Sequence, residues 1–144
     1  INEIWLDNSL IPKNNIHFIK AELGLLEARV DYENALKKIN KFDVVLLSMG
    51  DDGHIASLFP GHLYSKNTDV VVEYNSPKPP NKRISISYRK LNKTHNVFKI
   101  ILGQPKRQAM SLLFRGHDLP INRVYGEVEK IFIHSSAIPV GGEQ

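Results

Sequence analysis

Apolar residues recur along this chain at two different spacings, which predict an alternation of helices and strands. Over residues 27–39, apolar side chains return every three or four positions, as on the buried face of an amphipathic helix. Residues 43–48 are instead a continuous apolar run, typical of a strand in a parallel sheet that is buried on both faces, and residues 97–102 form another strongly apolar strand. We expect the strand over 43–48 to lie at the centre of that sheet.

Shorter patterns complete the predicted order of elements. Further strands are predicted over 1–6, 69–74, 83–87 and 129–134, and further helices over 88–94 and 105–115. Three prolines within residues 76–81 make that segment an extended connector that cannot pair in the middle of a sheet. Strands that alternate with helices predict an α/β fold with a largely parallel sheet, and residues 1–144 are expected to form one domain.

The composition narrows the classes of protein that remain. The chain has 144 residues, a formal charge of +4, 42% hydrophobic residues and no cysteine. The apolar content excludes a disordered chain, and the lack of cysteine excludes a disulfide framework, a thiolate metal site and a thiol nucleophile. The sequence has no apolar run of about 20 residues that would span a membrane. The expected compartment is therefore the cytosol, and a membrane is not an expected partner.

The positive charge raises the question of a polyanionic partner. Basic residues are scattered apart from short clusters such as Lys37-Lys38 and Lys106-Arg107, and no basic stripe with interleaved aromatic residues is present. An excess of four charges over this length is mild. Nucleic acid is therefore not the expected partner, and a small anion remains open.

The segment directly after the apolar run 43–48 carries the clearest candidate chemistry, because it contains Gly50, Asp52, Gly53 and His54. Ligands of open α/β sheets bind beyond the carboxyl ends of the strands, and glycines let the backbone approach a ligand closely. A neutral imidazole takes a proton from water near neutral pH, and a neighbouring carboxylate orients the ring. We therefore predict His54 as a general base beside Asp52. Backbone N–H groups around Gly50 and Gly53 are candidates for stabilising an oxyanion.

Simpler interpretations of the same segment stay open. An Asp-Gly turn with an exposed histidine has the same local sequence. A metal site has less support, because His54 and His62 are far apart in sequence for a ligand pair and no closely spaced His or Cys pair is present. No metal is predicted.

Two cations at other strand boundaries point to an anionic ligand. Prolines stiffen the approach to Arg83, and a rigidly held guanidinium binds phosphate or carboxylate through two hydrogen bonds. Lys106 lies at a helix start, where a cation opposes the helix dipole unless an anion binds there as well. Solvated surface side chains are the alternative for both residues. Arg83 reaches the edge shared by His54 and Lys106 only if its strand runs antiparallel or if it lies on a long loop.

Four segments of the chain together resemble the signature of the 6-phosphogluconolactonases. These segments are residues 47–61, residues 76–80 with 83–85, residues 11–17 around Pro12 and His17, and Leu102-Gly103 with Lys106. They occur in the family's order and cover the chain nearly end to end. Glucosamine-6-phosphate deaminases share the Asp-Gly-His core, but their loop continues toward Asn-Glu-Pro where this chain has Ser57-Leu58-Phe59-Pro60. That difference favours the lactonase.

The resemblance implies a three-layer αβα sandwich with a mostly parallel, Rossmann-like sheet. It implies a cytosolic hydrolase of the oxidative pentose phosphate pathway that uses neither metal nor organic cofactor. The implied substrate is a small sugar phosphate, 6-phospho-D-glucono-1,5-lactone, and the product is 6-phosphogluconate. The resemblance also implies that His54 is the catalytic base with Asp52 beside it, and that Arg83 and Lys106 hold the substrate phosphate.

The chain departs from the family pattern at its amino terminus. Family members begin with a βαβ segment that carries a glycine-rich phosphate loop, whereas this sequence starts, at Ile1, just past the corresponding point. We therefore expect the family fold without its first βαβ segment. A deaminase acting on an amino-sugar phosphate and a non-catalytic sugar-phosphate-binding fragment are the alternative functions. The sequence predicts no particular oligomeric state.

Overall fold

The computed structural model describes residues 5–139, and within that range the elements follow the predicted order. The helices are α1 (Leu25–Lys37), α2 (Tyr88–Leu91) and α3 (Arg107–Phe114). The strands are β1 (Phe42–Ser48), β2 (Val70–Glu73), β3 (Arg83–Ile86), β4 (Thr94–Ile101) and β5 (Val128–Ile133). Of the strand predicted over 1–6, the first four residues lie outside the described range. Its last residue, Leu6, begins the 3-10 turn Leu6–Asn8.

Three of the strands form a parallel sheet in the order β1-β4-β5. Among the described residues β4 is therefore the central strand and β1 an edge, so the prediction of a central strand over 43–48 is wrong. The prediction of burial on both faces is also wrong, because Val45 and Leu47 are buried while Val44 and Leu46 are 49% and 60% exposed. A continuous apolar run shows that both faces of a strand are apolar, but not how many strands flank it.

The two faces of this sheet differ in what covers them. On the inner face, Val97 and Ile101 of β4 belong to one buried cluster with Met110 of α3. On the outer face, apolar side chains such as Val128 and Phe132 are about half exposed. The α/β class and the mostly parallel sheet are confirmed. The third layer of the expected αβα sandwich is not formed by residues 5–139, since side chains of the outer face remain open to solvent.

β2 and β3 form a separate antiparallel hairpin. Glu73 at the end of β2 pairs with Arg83 at the start of β3, and the proline-rich segment between them contains a cis peptide bond between Pro79 and Pro80. Val71 of β2 connects the hairpin to the main buried cluster. Glu73 and Arg83 are thereby held side by side next to the proline-rich segment.

The helices α1 and α2 lie close to their predicted positions and are joined by hydrogen bonds. α1 lies within two residues of its prediction at each end, and the buried Lys90 of α2 donates from Nζ to the carbonyls of Leu36 and Ile39 just where α1 ends. These hydrogen bonds satisfy carbonyls that a helix end leaves open. The predicted helix over 88–94 is shorter because β4 already begins at Thr94. No helix within residues 5–139 is long and apolar enough to cross a membrane.

Candidate functional site

The loop after β1 places a histidine and an aspartate in direct contact. His54 Nδ1 lies 2.5 Å from Asp52 Oδ1, and the backbone N–H of His54 donates to the same oxygen at 3.0 Å. Burial acts to raise the pKa of Asp52, but the hydrogen bonds from His54 outweigh it and hold the pKa below its ordinary value. An ionised carboxylate only accepts hydrogen bonds, so in the neutral imidazole Nδ1 carries the proton and Nε2 the free lone pair.

Gly50 provides the space that the imidazole occupies. Its N–H donates to the carbonyl of His54 at 2.8 Å and closes the turn. A Cβ at Gly50 would lie 2.1 Å from His54 Nδ1, so a larger residue would displace the ring. Gly53 has a φ of +89°, which favours glycine, and a Cβ there would meet Leu119 Cδ1 at 2.6 Å. Both glycines are thus required by the shape of the loop that carries His54.

The N–H groups of the two glycines are used inside this turn. Gly50 donates to His54, and Gly53 donates to the carbonyl of Gly50 at 3.2 Å. Within residues 5–139, the backbone N–H of Asp51 has no acceptor, whereas that of Asp52 is directed at its own carboxylate. The N–H of Asp51 is therefore the donor of this turn that is left for an oxyanion, rather than those of the glycines.

Lys106 lines the same cavity as His54. This cavity, the inner cavity, has a volume of about 400 Å³ and is also lined by Gly50 and Ala56. Lys106 ends a 3-10 turn directly before α3 and has no carboxylate partner in the described part of the chain. The neighbouring Arg107 is used differently, because its Nε donates to the carbonyl of Ser136 at 3.1 Å. Of the two cations at this helix start, Lys106 lines the cavity and Arg107 does not.

A larger cavity, the outer cavity, adjoins the first. Its volume is about 600 Å³, and Asp51, Lys78 and Pro105 line both cavities. Asp52 and His62 also line the outer cavity. Lys78 forms an ion pair with Asp51 in the shared wall. The two cavities together offer imidazoles, ammonium groups and carboxylates to a small polar molecule.

Arg83 does not line either cavity. Its Nη2 donates to the carbonyls of Lys78 at 3.1 Å and Pro79 at 2.9 Å, and its Nε donates to the carbonyl of Pro80 at 3.1 Å. These hydrogen bonds hold the proline-rich segment that carries Lys78. The guanidinium also lies 5.4 Å from the centre of the Phe59 ring. Arg83 therefore supports the proline-rich segment that carries Lys78, without lining a cavity itself.

The structure brings His54, Asp52 and Lys106 together and separates Arg83 from them. Phe59 lies between His54 and Arg83. Its ring centre is 4.8 Å from that of His54 and 5.4 Å from the guanidinium carbon of Arg83. Phe59 is 1% exposed, so it fixes the imidazole from within the protein.

Asp51, Asp52 and His54 are the described residues with side chains that converge as metal ligands would. One ligand atom from each lies within 4.8 Å of the others. Lys78 already neutralises Asp51, and His54 already bonds to Asp52. A metal ion would have to displace both pairs, so the arrangement favours a base oriented by a carboxylate.

Two residues that line the cavities, Lys78 and His62, are not selected by the sequence. Lys78 stands among three prolines, and their rigidity draws attention to Arg83 instead. A cation inside a stiff segment is nevertheless a signal that would have found it. The sequence suggests His62 only as a possible metal ligand. Its pairing with Glu73 is not visible in the sequence, because the two residues lie eleven positions apart.

Curated proteins and a family description both match this chain. The family described as glucosamine-6-phosphate isomerases/6-phosphogluconolactonase matches residues 1–133. The chain is 34% identical to 6-phosphogluconolactonase 3, chloroplastic, of Arabidopsis thaliana, over 89% of this chain and 45% of that protein. It is 30% identical to the 6-phosphogluconolactonase of Thermotoga maritima, over 92% of this chain and 60% of that protein. The chain thus spans about half the length of the curated relatives it matches.

Solved structures agree with this assignment. The crystal structure of the Thermotoga maritima 6-phosphogluconolactonase superposes with a TM-score of 0.83 at 29% identity, covering 92% of this chain and 62% of that one. A monomeric glucosamine-6-phosphate deaminase superposes with a TM-score of 0.57 at 19% identity, which shows a shared fold alone. The resemblance stated from the sequence is confirmed, and the chain belongs to the glucosamine-6-phosphate isomerase/6-phosphogluconolactonase family.

Proposed function

We propose that this site hydrolyses 6-phospho-D-glucono-1,5-lactone to 6-phosphogluconate. The observation that carries the proposal is the inner cavity, where His54, paired with Asp52, lies together with the ammonium group of Lys106. A proton acceptor and an anion anchor in one cavity fit a small ester that bears a phosphate. Curated relatives at 34% and 30% identity are named as lactonases of this substrate class.

Lys106 and Lys78 supply two charges for the phosphate, and Arg83 stays a predicted third, since its Nη1 has no partner within residues 5–139. Lys106 has no carboxylate partner in residues 5–139 and supplies the first charge. Lys78 lines both cavities and supplies the second when the phosphate competes with Asp51 for its ammonium group. Arg83 contributes by holding the backbone of Lys78 and its neighbours. Anchoring the phosphate orients the lactone carbonyl toward His54 and lowers the entropic part of the barrier.

His54 acts first as a base and then as an acid. Nε2 takes a proton from water, and the oxygen of that water attacks C1 of the lactone. Asp52 stabilises the imidazolium that forms, because its ionised oxygen stays bonded to Nδ1. When the tetrahedral intermediate collapses, the ring C–O bond breaks and Nε2 returns the proton to the departing ring oxygen. The product is the open-chain acid, and the imidazole is neutral again.

The direct test is to measure release of acid from the lactone by the full-length protein, above spontaneous hydrolysis, in a pH-stat. The proposal expects catalysed acid release and no ammonia from glucosamine 6-phosphate. Ammonia release without lactone hydrolysis would establish the deaminase instead. Binding of 6-phosphogluconate with lactone decay at the background rate would establish a non-catalytic sugar-phosphate-binding protein.

The proposed setting of this reaction is the oxidative pentose phosphate pathway in the cytosol, with a small sugar phosphate as the partner. The cysteine-free chain needs no oxidising compartment for disulfide bonds. Three relatives, from Arabidopsis thaliana and two subspecies of Oryza sativa, are named chloroplastic. Imaging of the tagged full-length protein tests the compartment, and an organellar signal would contradict the cytosolic proposal.

A further inference from the structure

The outer cavity contains a second imidazole–carboxylate pair that the proposed reaction does not use. His62 Nδ1 lies 2.7 Å from Glu73 Oε2. The hydroxyl of Tyr64 donates to the same oxygen at 2.7 Å, and the backbone N–H of Asn75 donates to Oε1 at 2.7 Å. The side chain of Glu73 is 7% exposed, whereas that of His62 is 33% exposed. A buried carboxylate thus holds a histidine at the surface of a cavity.

The partners of Glu73 determine which atom of His62 is available. Burial acts to raise the pKa of Glu73, but the hydrogen bonds from Tyr64, Asn75 and His62 outweigh it and keep the pKa below its ordinary value. Glu73 is therefore an ionised acceptor, and the proton of the neutral His62 imidazole resides on Nδ1. Nε2 then carries a lone pair and has no partner within residues 5–139. Such an atom accepts a hydrogen bond from a hydroxyl group.

The position of His62 relative to the proposed base is fixed by packing. The ring of Phe59 lies 4.8 Å from that of His54 and 5.9 Å from that of His62, measured between ring centres. His62 and Asp52 line the outer cavity, and His54 lines the inner one. Because Asp51, Lys78 and Pro105 line both cavities, we expect a ligand whose phosphate contacts Lys106 to extend its sugar portion toward His62.

We propose that His62 is a binding residue of this site, and that its Nε2 accepts a hydrogen bond from a hydroxyl group of the sugar. Glu73 is its positioning residue, because it fixes the ring and the tautomer without reaching the ligand. This inference rests on the proposed function for the identity of the ligand. It adds recognition of the hydroxyl face of the sugar to recognition of its phosphate.

The experiment compares two probes on the same full-length variants. His62→Asn keeps an amide N–H for Glu73 but has no atom at the position of Nε2, and His62→Gln places an amide oxygen near that position. Calorimetry with 6-phosphogluconate is expected to show about three- to tenfold weaker binding for His62→Asn, the range for one neutral hydrogen bond. Binding of inorganic phosphate is expected to be unchanged, and His62→Gln is expected to recover part of the loss.

A matched control comes from the exposed pair of His95 and Glu127, whose Nδ1–Oε2 distance is 2.8 Å. His95→Asn makes the same chemical change outside both cavities and is expected to leave binding of both probes unaltered. The proposal is overturned if a folded His62→Asn protein binds 6-phosphogluconate as the wild type does. It is also overturned if this variant binds inorganic phosphate more weakly by the same factor as 6-phosphogluconate, because His62 would then contact the phosphate.

Kinetics separate this inference from the proposed function. His62→Asn is expected to raise KM for the lactone with kcat within about twofold, because a contact made equally in ground and transition states changes binding alone. A fall in kcat at constant KM would make His62 a base and contradict the inference. If the wild type shows no lactonase activity at all, the proposed function fails, while the binding experiment still tests His62.

A measurement on the unaltered protein covers the case in which the variant does not fold. In imidazole-¹⁵N spectra of the wild type, 6-phosphogluconate is expected to shift the Nε2 resonance of His62, assigned with the His62→Gln variant. Inorganic phosphate is expected not to shift it. An Nε2 resonance that stays fixed at saturating 6-phosphogluconate overturns the proposal.

Discussion

Two imidazole–carboxylate pairs face adjoining cavities of this molecule, and they are built in opposite ways. His54 and Asp52 stand two residues apart in one turn, and the aspartate side chain is 32% exposed. His62 and Glu73 stand eleven residues apart, and the glutamate side chain, at the end of β2, is 7% exposed. The first pair is formed by a local loop, and the second joins a loop to a strand.

The difference between the pairs shows how one chemical arrangement serves two purposes. Asp52 lines the outer cavity itself and sits beside the proposed base, where its charge stabilises an imidazolium formed during the reaction. Glu73 is shielded and receives three hydrogen bonds, so its main effect is to hold His62 in one orientation. We therefore expect changes at the first pair to affect kcat, and changes at the second to affect binding and stability.

The largest expected effect separates the two histidines by the same substitution. His54→Asn removes the proposed base, and kcat for lactone hydrolysis is expected to fall by about 100-fold or more, with little change in affinity for 6-phosphogluconate. His62→Asn serves as the comparison, because its effect is expected in KM. Steady-state kinetics of both variants checks the prediction. Turnover by His54→Asn near the wild-type rate would remove His54 as the base.

A substitution next to His54 tests whether the loop geometry is as important as the base. Gly50→Ala puts a Cβ where the imidazole lies, 2.1 Å from Nδ1, so the ring must move away from Asp52. We expect kcat to fall by about 10- to 100-fold, since misplacing a catalytic group is costly. In the His54→Asn background the same change is expected to have almost no further effect on kcat. Additive losses would show that Gly50 acts by another route.

Lys106 tests the phosphate side of the inner cavity. Lys106→Ala removes a charge that has no carboxylate partner in the described residues, and we expect KM and the Kd of inorganic phosphate to rise by about tenfold. This outcome contrasts with His62→Asn, for which phosphate binding is expected to stay constant. The exposed Lys66 provides a control, since Lys66→Ala removes the same charge away from both cavities. Equal effects of the two lysine variants would indicate general electrostatics rather than a site.

The smallest expected effect concerns stability against acid. Since the pKa of Glu73 is held below its ordinary value of 4.5, the ionised form stabilises the folded protein above that pH, and the contribution is lost as the pH falls through the lowered pKa. Glu73→Gln is expected to reduce the free energy of unfolding by about 1–2 kcal/mol at pH 7 and to flatten its decline below pH 5. Urea unfolding from pH 7 to pH 3 measures both quantities.

Asp52→Asn is the comparison for that experiment. The pKa of Asp52 is also lowered, but its side chain is about one-third exposed, so solvent screens part of its interaction with His54. Its acid dependence is expected to change less than that of Glu73→Gln. An equal or larger change would mean that burial of the carboxylate does not distinguish the two pairs.

The sequence by itself determined the order of helices and strands and the His54–Asp52 pair. Both are local properties: side-chain periodicity follows from the geometry of a helix or strand, and Gly50, Asp52 and His54 lie within five consecutive residues whose turn closes on itself. Lys106 was found in the same way, because the position of a cation relative to a helix start is visible in the sequence.

Only the tertiary structure decided which strand is central, which cations line a cavity and what holds His62. β1 has the apolar pattern of a central strand, yet β4 occupies that place among the described residues. Arg83 has the chemistry of a phosphate ligand, yet its Nε and Nη2 donate to carbonyls of the proline-rich segment and it lines neither cavity. These properties depend on contacts between residues distant in sequence, and such contacts are chosen by the packing of the whole fold rather than by local patterns.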